Sequence, residues 1–412
     1  MIGAMSIRSA EILVPRTPAV LGGTPAFDQP IYVTQPPVPD TSEYQRRVAD
    51  VIRSRRFTNN GPMVREFEEK LRSRLGVGFC AATANGTLAL QIALRALDIE
   101  GEVITTPFTF PATVHAIQWN GLTPVFCDID PATYNLDVSR AAELVGNRTA
   151  ALLPVHVFGN PCDVAGIDAL ATRSGLKVIY DAAHAFGVLH RNRSIVTWGD
   201  LSVLSFHATK LFHCGEGGAI VGADAALFER SRLLRNFGIV SENEVSGVGL
   251  NGKLSELHAA LGLGVLDVVG AEIDARGRVA ARYRERLVGI EGFSFQQIAP
   301  DTVQNHSYFT IEIDADAFGL SRDEVHKSLL AENIRARRYF SPLCSENECY
   351  RDIHSARPEL LPHASRLALS NLCLPIYGGL DRKDVDRIVE CLHAIKSAAG
   401  RIRDRLRVTR KS

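Results

Sequence analysis

The sequence predicts an α/β fold: a large, mostly parallel sheet covered by helices on both faces, joined to a smaller α+β C-terminal domain. Three observations predict it. Between about Val77 and Val221, short runs rich in apolar residues alternate with stretches of helical periodicity, which is the pattern of parallel strands joined by helical crossovers. The chain has 412 residues, more than one hydrophobic core ordinarily serves. Beyond about residue 268 the pattern changes to charged helices and an alternating strand, as a second domain requires.

Taken in order, residues 1–40 are rich in Pro and Gly, carry the turn Leu21-Gly-Gly-Thr-Pro25, and read as an extended N-terminal arm. A large domain is set at 41–268. Helices are expected over Ser42–Arg56 and Met63–Leu75, where Val64, Phe67 and Leu71 recur at helical spacing. The polar loop Phe57-Thr-Asn-Asn-Gly-Pro62 between them is free to reach a site. Strands are expected at Val77–Ala82, Glu102–Thr105, Pro124–Asp128, Ala150–Val155, Lys177–Asp181, Leu201–Phe206 and Ala219–Val221, with helices at Thr87–Leu97, Pro111–Asn120 and Val164–Ser174. The domain boundary falls between an apolar helix over Ser255–Leu266 and a charged one through Arg276–Arg286. The small domain, 269–400, then has a strand at Tyr308–Asp314 and helices at Arg322–Glu332 and Asp384–Lys396. Residues 401–412 form a basic tail, read as a solvated helix end in preference to a nucleic-acid arm.

Composition narrows the partners. Lysine plus arginine (46) equals aspartate plus glutamate (46), so nothing outside the tail is a footprint for nucleic acid. Eight cysteines lack CxxC pairs or a regular frame, which fits free thiols in a reducing, cytoplasmic setting better than disulfides or a metal site. No run of about 18 uninterrupted apolar residues occurs, and Met1–Phe27 lacks the apolar core of a secretion signal, so no membrane partner is expected. A small molecule remains.

In parallel sheets ligands bind at the carboxyl ends of the strands, and four features fall there. Asn85-Gly86-Thr87 opens a helix whose free N–H groups and dipole suit a phosphate, although the same residues also make a plain cap. The strand Lys177–Asp181 ends in a carboxylate able to pair with a protonated pyridine nitrogen or, more blandly, with a nearby cation. Pro107-Phe-Thr-Phe110 offers Phe108 to stack on a pyridine face, against a role as a core aromatic. Lys210 stands between an apolar strand and a glycine-rich turn, and becomes a nucleophile if burial lowers its pKa; Ser205 and His207 are near enough to add phosphate or ring contacts. Their chain order, each on a successive strand exit, meets the needs of a pyridoxal phosphate site.

On these residues the chain resembles the sugar aminotransferases of the DegT–StrS group, within the aspartate-aminotransferase-like fold (fold type I) of pyridoxal phosphate enzymes. The motifs that carry the resemblance include Leu21-Gly-Gly-Thr-Pro-Ala-Phe27, Thr58-Asn-Asn-Gly-Pro62, Pro107-Phe-Thr-Phe110, Pro154-Val-His-Val-Phe-Gly159, Asp181-Ala-Ala-His184, Ser205-Phe-His-Ala-Thr-Lys210, Gly215-Glu-Gly-Gly218 and Asn251-Gly-Lys-Leu-Ser-Glu256. The resemblance implies pyridoxal 5'-phosphate as cofactor, held covalently by Lys210, which then shuttles the proton between cofactor carbon and substrate carbon. It implies Asp181 on the pyridine nitrogen, Phe108 on the ring, Gly86, Thr87 and Ser205 on the phosphate, and His207 nearby. It also implies a homodimer with shared active sites, in which Asn251 reaches the partner's phosphate.

Two positions depart from the group's pattern. His184 stands where glutamine is usual, and a histidine there would hydrogen-bond near the cofactor hydroxyl and titrate near neutral pH. Asn251-Gly252-Lys253 replaces Asn-Tyr-Arg, so the cation meeting a substrate anion is a lysine without the bidentate fork. The implied reaction is ping-pong transfer of an amino group from glutamate to a nucleotide-linked 4-keto-6-deoxy sugar, as in the 4-aminotransferase branch of the group. A 3-keto sugar or cyclitol substrate, or a non-catalytic binding role on the same fold, are the alternatives. Substrate contacts are expected from Thr58, Asn59, Asn60, Lys253, Arg337 and Tyr339.

Overall fold

A computed structural model describes residues 16–409. The first 15 residues of the arm and the last three of the tail lie outside the described residues. All seven strands expected of the large domain form, with ends within two residues of those expected: β1 (Phe79–Thr83), β2 (Glu102–Thr105), β3 (Thr123–Phe126), β4 (Thr149–Leu153), β5 (Lys177–Asp181), β6 (Leu201–Ser205) and β7 (Gly218–Gly222). They make one sheet in the order β1-β7-β6-β5-β4-β2-β3. Only β7 runs against its neighbours, pairing antiparallel with both β1 and β6. The reason is local. A parallel return needs a crossover of a dozen or more residues, usually a helix, whereas the segment between Ser205 and Gly218 is a compact turn with Ala208 N–H bonded to Gly215 O at 2.8 Å. That turn carries Lys210 and holds it at the carboxyl end of β6, next to the end of β5, where Asp181 pairs in register with Val203.

The helices expected on either side of the domain boundary are continuous. Residues Glu256–Leu287 are a single 32-residue helix, where two had been expected, separated near residue 268. Ala259, Leu263 and Leu266 at its start belong to the core of the large domain, and Val279, Tyr283 and Leu287 at its end to the core of the small one. The change from apolar to charged sequence therefore marks a change of neighbours along one helix. Gly262 lies in it because a Cβ there would stand 2.7 Å from the Phe67 ring; close packing of the helix on the Pro62–Leu75 helix outweighs the cost of glycine in a helix interior, about 1 kcal/mol.

The small domain has three antiparallel strands, β8 (Phe293–Ser294), β9 (Phe309–Ile313) and β10 (Asn371–Leu374), packed on the helices Arg322–Ala331 and Arg382–Ser397. The arm lies over this domain. Ile31–Tyr32 pairs in parallel with Ile334–Arg335, and the buried carboxylate of Glu332 accepts the N–H groups of Ala19 (2.7 Å) and Ala26 (2.8 Å) and pairs with Arg16 (2.7 Å). The described part of the tail continues as a helix, Ala399–Thr409, docked through buried Ile402. All eight cysteines are free thiols, and among the described residues no His, Cys, Asp or Glu cluster suits a metal and no helix is long and apolar enough to cross a membrane.

Candidate active site

A cavity of about 540 Å³ opens at the carboxyl ends of β5 and β6. Its floor comes from the large domain, with Gly86, Thr87, Asp181, His184, Ser205, His207 and Lys210; Tyr308, Tyr339 and Phe340 of the small domain close one side. Seven of the expected large-domain residues, with Tyr339, thus meet in one pocket.

Lys210 is half-buried in its turn, with its N–H donated to the His207 carbonyl at 2.8 Å. Desolvation by the pocket walls lowers its ammonium from an ordinary 10.5 to about 8, with the Asp181 carboxylate pulling the other way. Asp181 is buried. Burial raises its pKa, and it is drawn back by the Thr113 hydroxyl, which donates at 2.7 Å, by the Ala183 N–H at 3.0 Å, and by Lys210. The pair is an amine whose pKa burial brings down toward neutral pH and a carboxyl whose burial-raised pKa two donors pull back, the arrangement expected of a catalytic base and its charge partner.

The residues expected to form an anion cup lie together at a helix start and a strand end. Asn85 caps the Gly86–Leu97 helix, its Oδ1 accepting from Leu88 N–H at 2.8 Å, so the N–H groups of Gly86 and Thr87 have no partner inside the helix. A Cβ on Gly86 would come within 3.0 Å of the Ser205 Cβ. Glycine is therefore what lets this helix terminus come so close to the end of β6. His207 sits at the exposed rim, its Nδ1 2.8 Å from Thr209 Oγ1 and its Nε2 3.7 Å from Glu216.

Two expectations need correction. Phe108 does not face the cavity: it is fully buried and packs edge-on against Tyr134, Phe158 and Phe340. Of the motif's two phenylalanines, the one at the cavity is Phe110, 60% exposed. Pro111 starts the next helix, which makes Phe110 the cap residue at the strand-to-helix exit, where ligands approach, and turns Phe108 inward. His184 does not titrate near neutral pH. It is buried among Phe158, Phe340 and Tyr308, with ring centroids at 6.2, 6.1 and 4.8 Å, and burial together with Lys210 holds its pKa well below the usual range. Its Nδ1 accepts the Phe158 N–H at 3.2 Å, which leaves a neutral ring with the proton on Nε2.

These placements separate the two phenylalanines in a test. Phe108→Ala is expected to cost about 3–5 kcal/mol of stability, as for other buried aromatic truncations, read as a lower melting temperature. Phe110→Ala is expected to leave melting of the cofactor-free chain unchanged and to weaken cofactor binding in a direct titration.

Of the expected substrate residues only Tyr339 lines the Lys210 cavity. Asn59, Asn60 and Lys253 line a separate cleft of about 110 Å³ with Arg232 and Arg235, and Lys253 Nζ lies 4.6 Å from the Phe237 ring centroid. Thr58 is exposed outside both. Asn251 is exposed, bridged to Asn236 and away from the cavity of its own chain. Arg337 points to solvent while its main chain pairs with Cys373. The residues that sequence reasoning missed are Phe110, Thr113 and Tyr308; Phe340 lies in the Arg337–Pro342 segment from which substrate contacts are expected. Pro111 was a usable signal for Phe110; nothing local marks Tyr308, which reaches the site only because the domains pack together.

The cradle that a Cβ on Gly86 would fill, the lysine of lowered pKa and the donor-held carboxylate fit pyridoxal phosphate. The sequence model of the DegT/DnrJ/EryC1/StrS aminotransferase family matches residues 39–393. The dTDP-4-amino-4,6-dideoxy-D-glucose transaminase of Shigella dysenteriae is 42% identical over 370 residues, covering 90% of this chain and 100% of that one. The enzyme of the same name from Escherichia coli is 43% identical over 366 residues, 89% and 98% of the two chains. Among solved structures, DesI in the presence of its TDP-sugar product superposes with a TM-score of 0.88 at 40% identity, over 95% of this chain and 98% of that one. The chain belongs to the DegT/DnrJ/EryC1/StrS aminotransferase family, whose members use pyridoxal phosphate.

Proposed function

We propose that the protein transfers an amino group from glutamate to a nucleotide-linked 4-keto-6-deoxy sugar, giving a 4-amino-4,6-dideoxy sugar, and that it works in the cytoplasm as a homodimer with shared active sites. The observation that carries this reading is Lys210, held near a pKa of about 8 opposite Asp181, in a chain so similar to transaminases of that product class.

Pyridoxal phosphate, when bound, supplies an electron sink that acidifies the carbon bearing nitrogen. The chain's own residues do the rest. Gly86 and Thr87 N–H groups and the Ser205 hydroxyl would hold the phosphate, and Asp181, with Thr113 and Ala183 donating to it, would face the ring nitrogen as its charge partner. Lys210 would hold the cofactor through Nζ; once freed by the amino donor, its amine would take a proton from the donor carbon and deliver it to the cofactor carbon within the first half-reaction, and would move a proton the opposite way, onto the sugar carbon, in the second. Phe110 would stand beside the ring, and the neutral aromatic wall of His184, Tyr308 and Phe340 would limit water at the reacting atoms. Asn251, Lys253, Asn59 and Asn60 lie outside the cavity of their own chain, and in this reading they complete the partner subunit's site. Free thiols throughout suit a reducing compartment.

A panel of nucleotide-linked 4-keto and 3-keto sugars, assayed with glutamate, tests the substrate. The 4-keto substrates are expected to be preferred by about 10²-fold or more in kcat/KM; preference for a 3-keto sugar, or no amination of any of them, overturns it. Shared sites have their own test. Lys210→Ala and Asn251→Ala chains, each weak alone, are expected to regain activity when mixed and refolded together, because one hybrid site is then intact. A mixture no more active than its components excludes the exchange.

A further inference from the structure

A second cavity, of about 610 Å³, lies against the first, bounded by the loop after β8, the start of β9 and the last third of the long Glu256–Leu287 helix. Phe158 and Tyr308, with ring centroids 5.1 Å apart, border it, and Tyr308 also lines the reaction cavity, so these rings form the partition. Its size falls within the range of small-molecule sites, about 300–1,000 Å³, and far exceeds what an inorganic anion needs. Its charge is one-sided. Arg284 is its charged residue and no aspartate or glutamate lines it, while burial and Arg284 together lower the pKa of His306 and keep that ring from adding to the charge.

Arg284 lies with its guanidinium 5.3 Å from the Phe295 ring centroid and 6.0 Å from that of Phe309, and among the described residues no carboxylate pairs with it. A guanidinium held by its face on aromatic rings keeps its edge N–H groups free for bidentate contact with a phosphate. The amide of Gln296 is occupied, donating to the carbonyls of Thr133 (2.8 Å) and Val157 (3.2 Å). Those of Gln297 and Gln304 also line the cavity and bond to no other described residue. Each offers a donor and an acceptor side by side, suited to the edge of a base or to sugar hydroxyls. None of the groups assigned to cofactor or sugar chemistry, Tyr308 apart, touches this space.

We propose that this cavity is a second binding site, separate from the reaction cavity, for a small organic phosphate of nucleotide or sugar-phosphate size, its phosphate on Arg284 and its polar ring on Gln297 and Gln304. The proposal stands independently of which sugar is aminated.

Calorimetric titration of the cofactor-loaded full chain with dTDP, glucose 1-phosphate and inorganic phosphate separates the sources. The expected result is binding of one of the two organic phosphates that Arg284→Gln weakens on the order of tenfold and Arg284→Lys partly restores, with kcat for amination unchanged in both variants. Failure of the substrate reading would leave this binding in place, so the two are distinguished. Binding unaltered by Arg284→Gln, binding of inorganic phosphate alone, no binding of any probe, or loss of the Arg284-dependent event when the reaction cavity is filled by sugar substrate each overturns the proposal. Should Arg284→Gln fold poorly, Gln304→Glu introduces a carboxylate from a partly exposed position: weakened binding supports the site, and unchanged binding overturns it.

Discussion

Lys210→Ala is expected to lower turnover on the order of 10⁴-fold, the upper range for loss of a positioned acid–base group. Its melting temperature is expected to stay near that of the parent chain, since the lysine is half-buried in a turn that its main chain holds through the His207 carbonyl. Lys210→Arg is expected to be as inactive, because a guanidinium keeps its charge and cannot act as the base. The pH dependence follows from the direction of the shift. Burial lowers the ammonium from 10.5 to about 8, so the neutral amine, the form that attacks, gains population as pH rises through 8 and is scarce well below it. Covalent capture of added cofactor by the cofactor-free chain, followed by visible absorbance and bleached by borohydride, is expected to accelerate across that window. A Lys210→Ala chain with normal turnover would remove the lysine from the mechanism, and capture that accelerates only above pH 10 would show that burial does not tune it.

Asp181→Asn is expected to cost about 10²–10³-fold in turnover, the size seen when one preorganised electrostatic partner is lost from a buried site. Thr113 sharpens the test. Burial raises the Asp181 pKa, and the 2.7 Å bond from Thr113 opposes it. Thr113→Val removes that opposition, so the folded carboxyl moves further up and its anionic form is lost at a higher pH on acidification. The acidic limb of the pH–rate profile is expected to shift upward in Thr113→Val and to return in Thr113→Ser. A profile that does not move in Thr113→Val would assign the threonine to packing alone.

Much of this architecture was legible because it is written in short-range pattern. The seven strands of the large sheet, the helix opened by Asn85-Gly86-Thr87, the carboxylate at the end of Lys177–Asp181 and Lys210 all sit in local signals: an apolar run, a cap, a strand end, a glycine-rich turn. What was misread depended on where a side chain turns once distant segments pack. Phe108 and Phe110 share one motif, and only the aromatic neighbours Tyr134, Phe158 and Phe340, far apart in the chain, draw the first of them into the core. His184 was expected to titrate near neutral pH from its type; its desolvation comes from Phe158, Tyr308 and Phe340 closing over it. The break expected between two helices at the domain boundary was misread for a related reason, since composition reports which neighbours a helix meets and not whether the helix is broken.

The sequence by itself determined the fold class and the family, and placed Asp181 and Lys210 at neighbouring strand ends, because periodicity and motif order need no partner to be read. Only the tertiary structure decided which phenylalanine of the Pro107–Phe110 motif faces the cofactor cavity, that His184 is neutral, that Asn59, Asn60 and Lys253 stand apart from Lys210, and that a second cavity, holding Arg284, adjoins the first. Those are properties of desolvation and proximity, and both arise only when residues remote in the chain exclude water from one another.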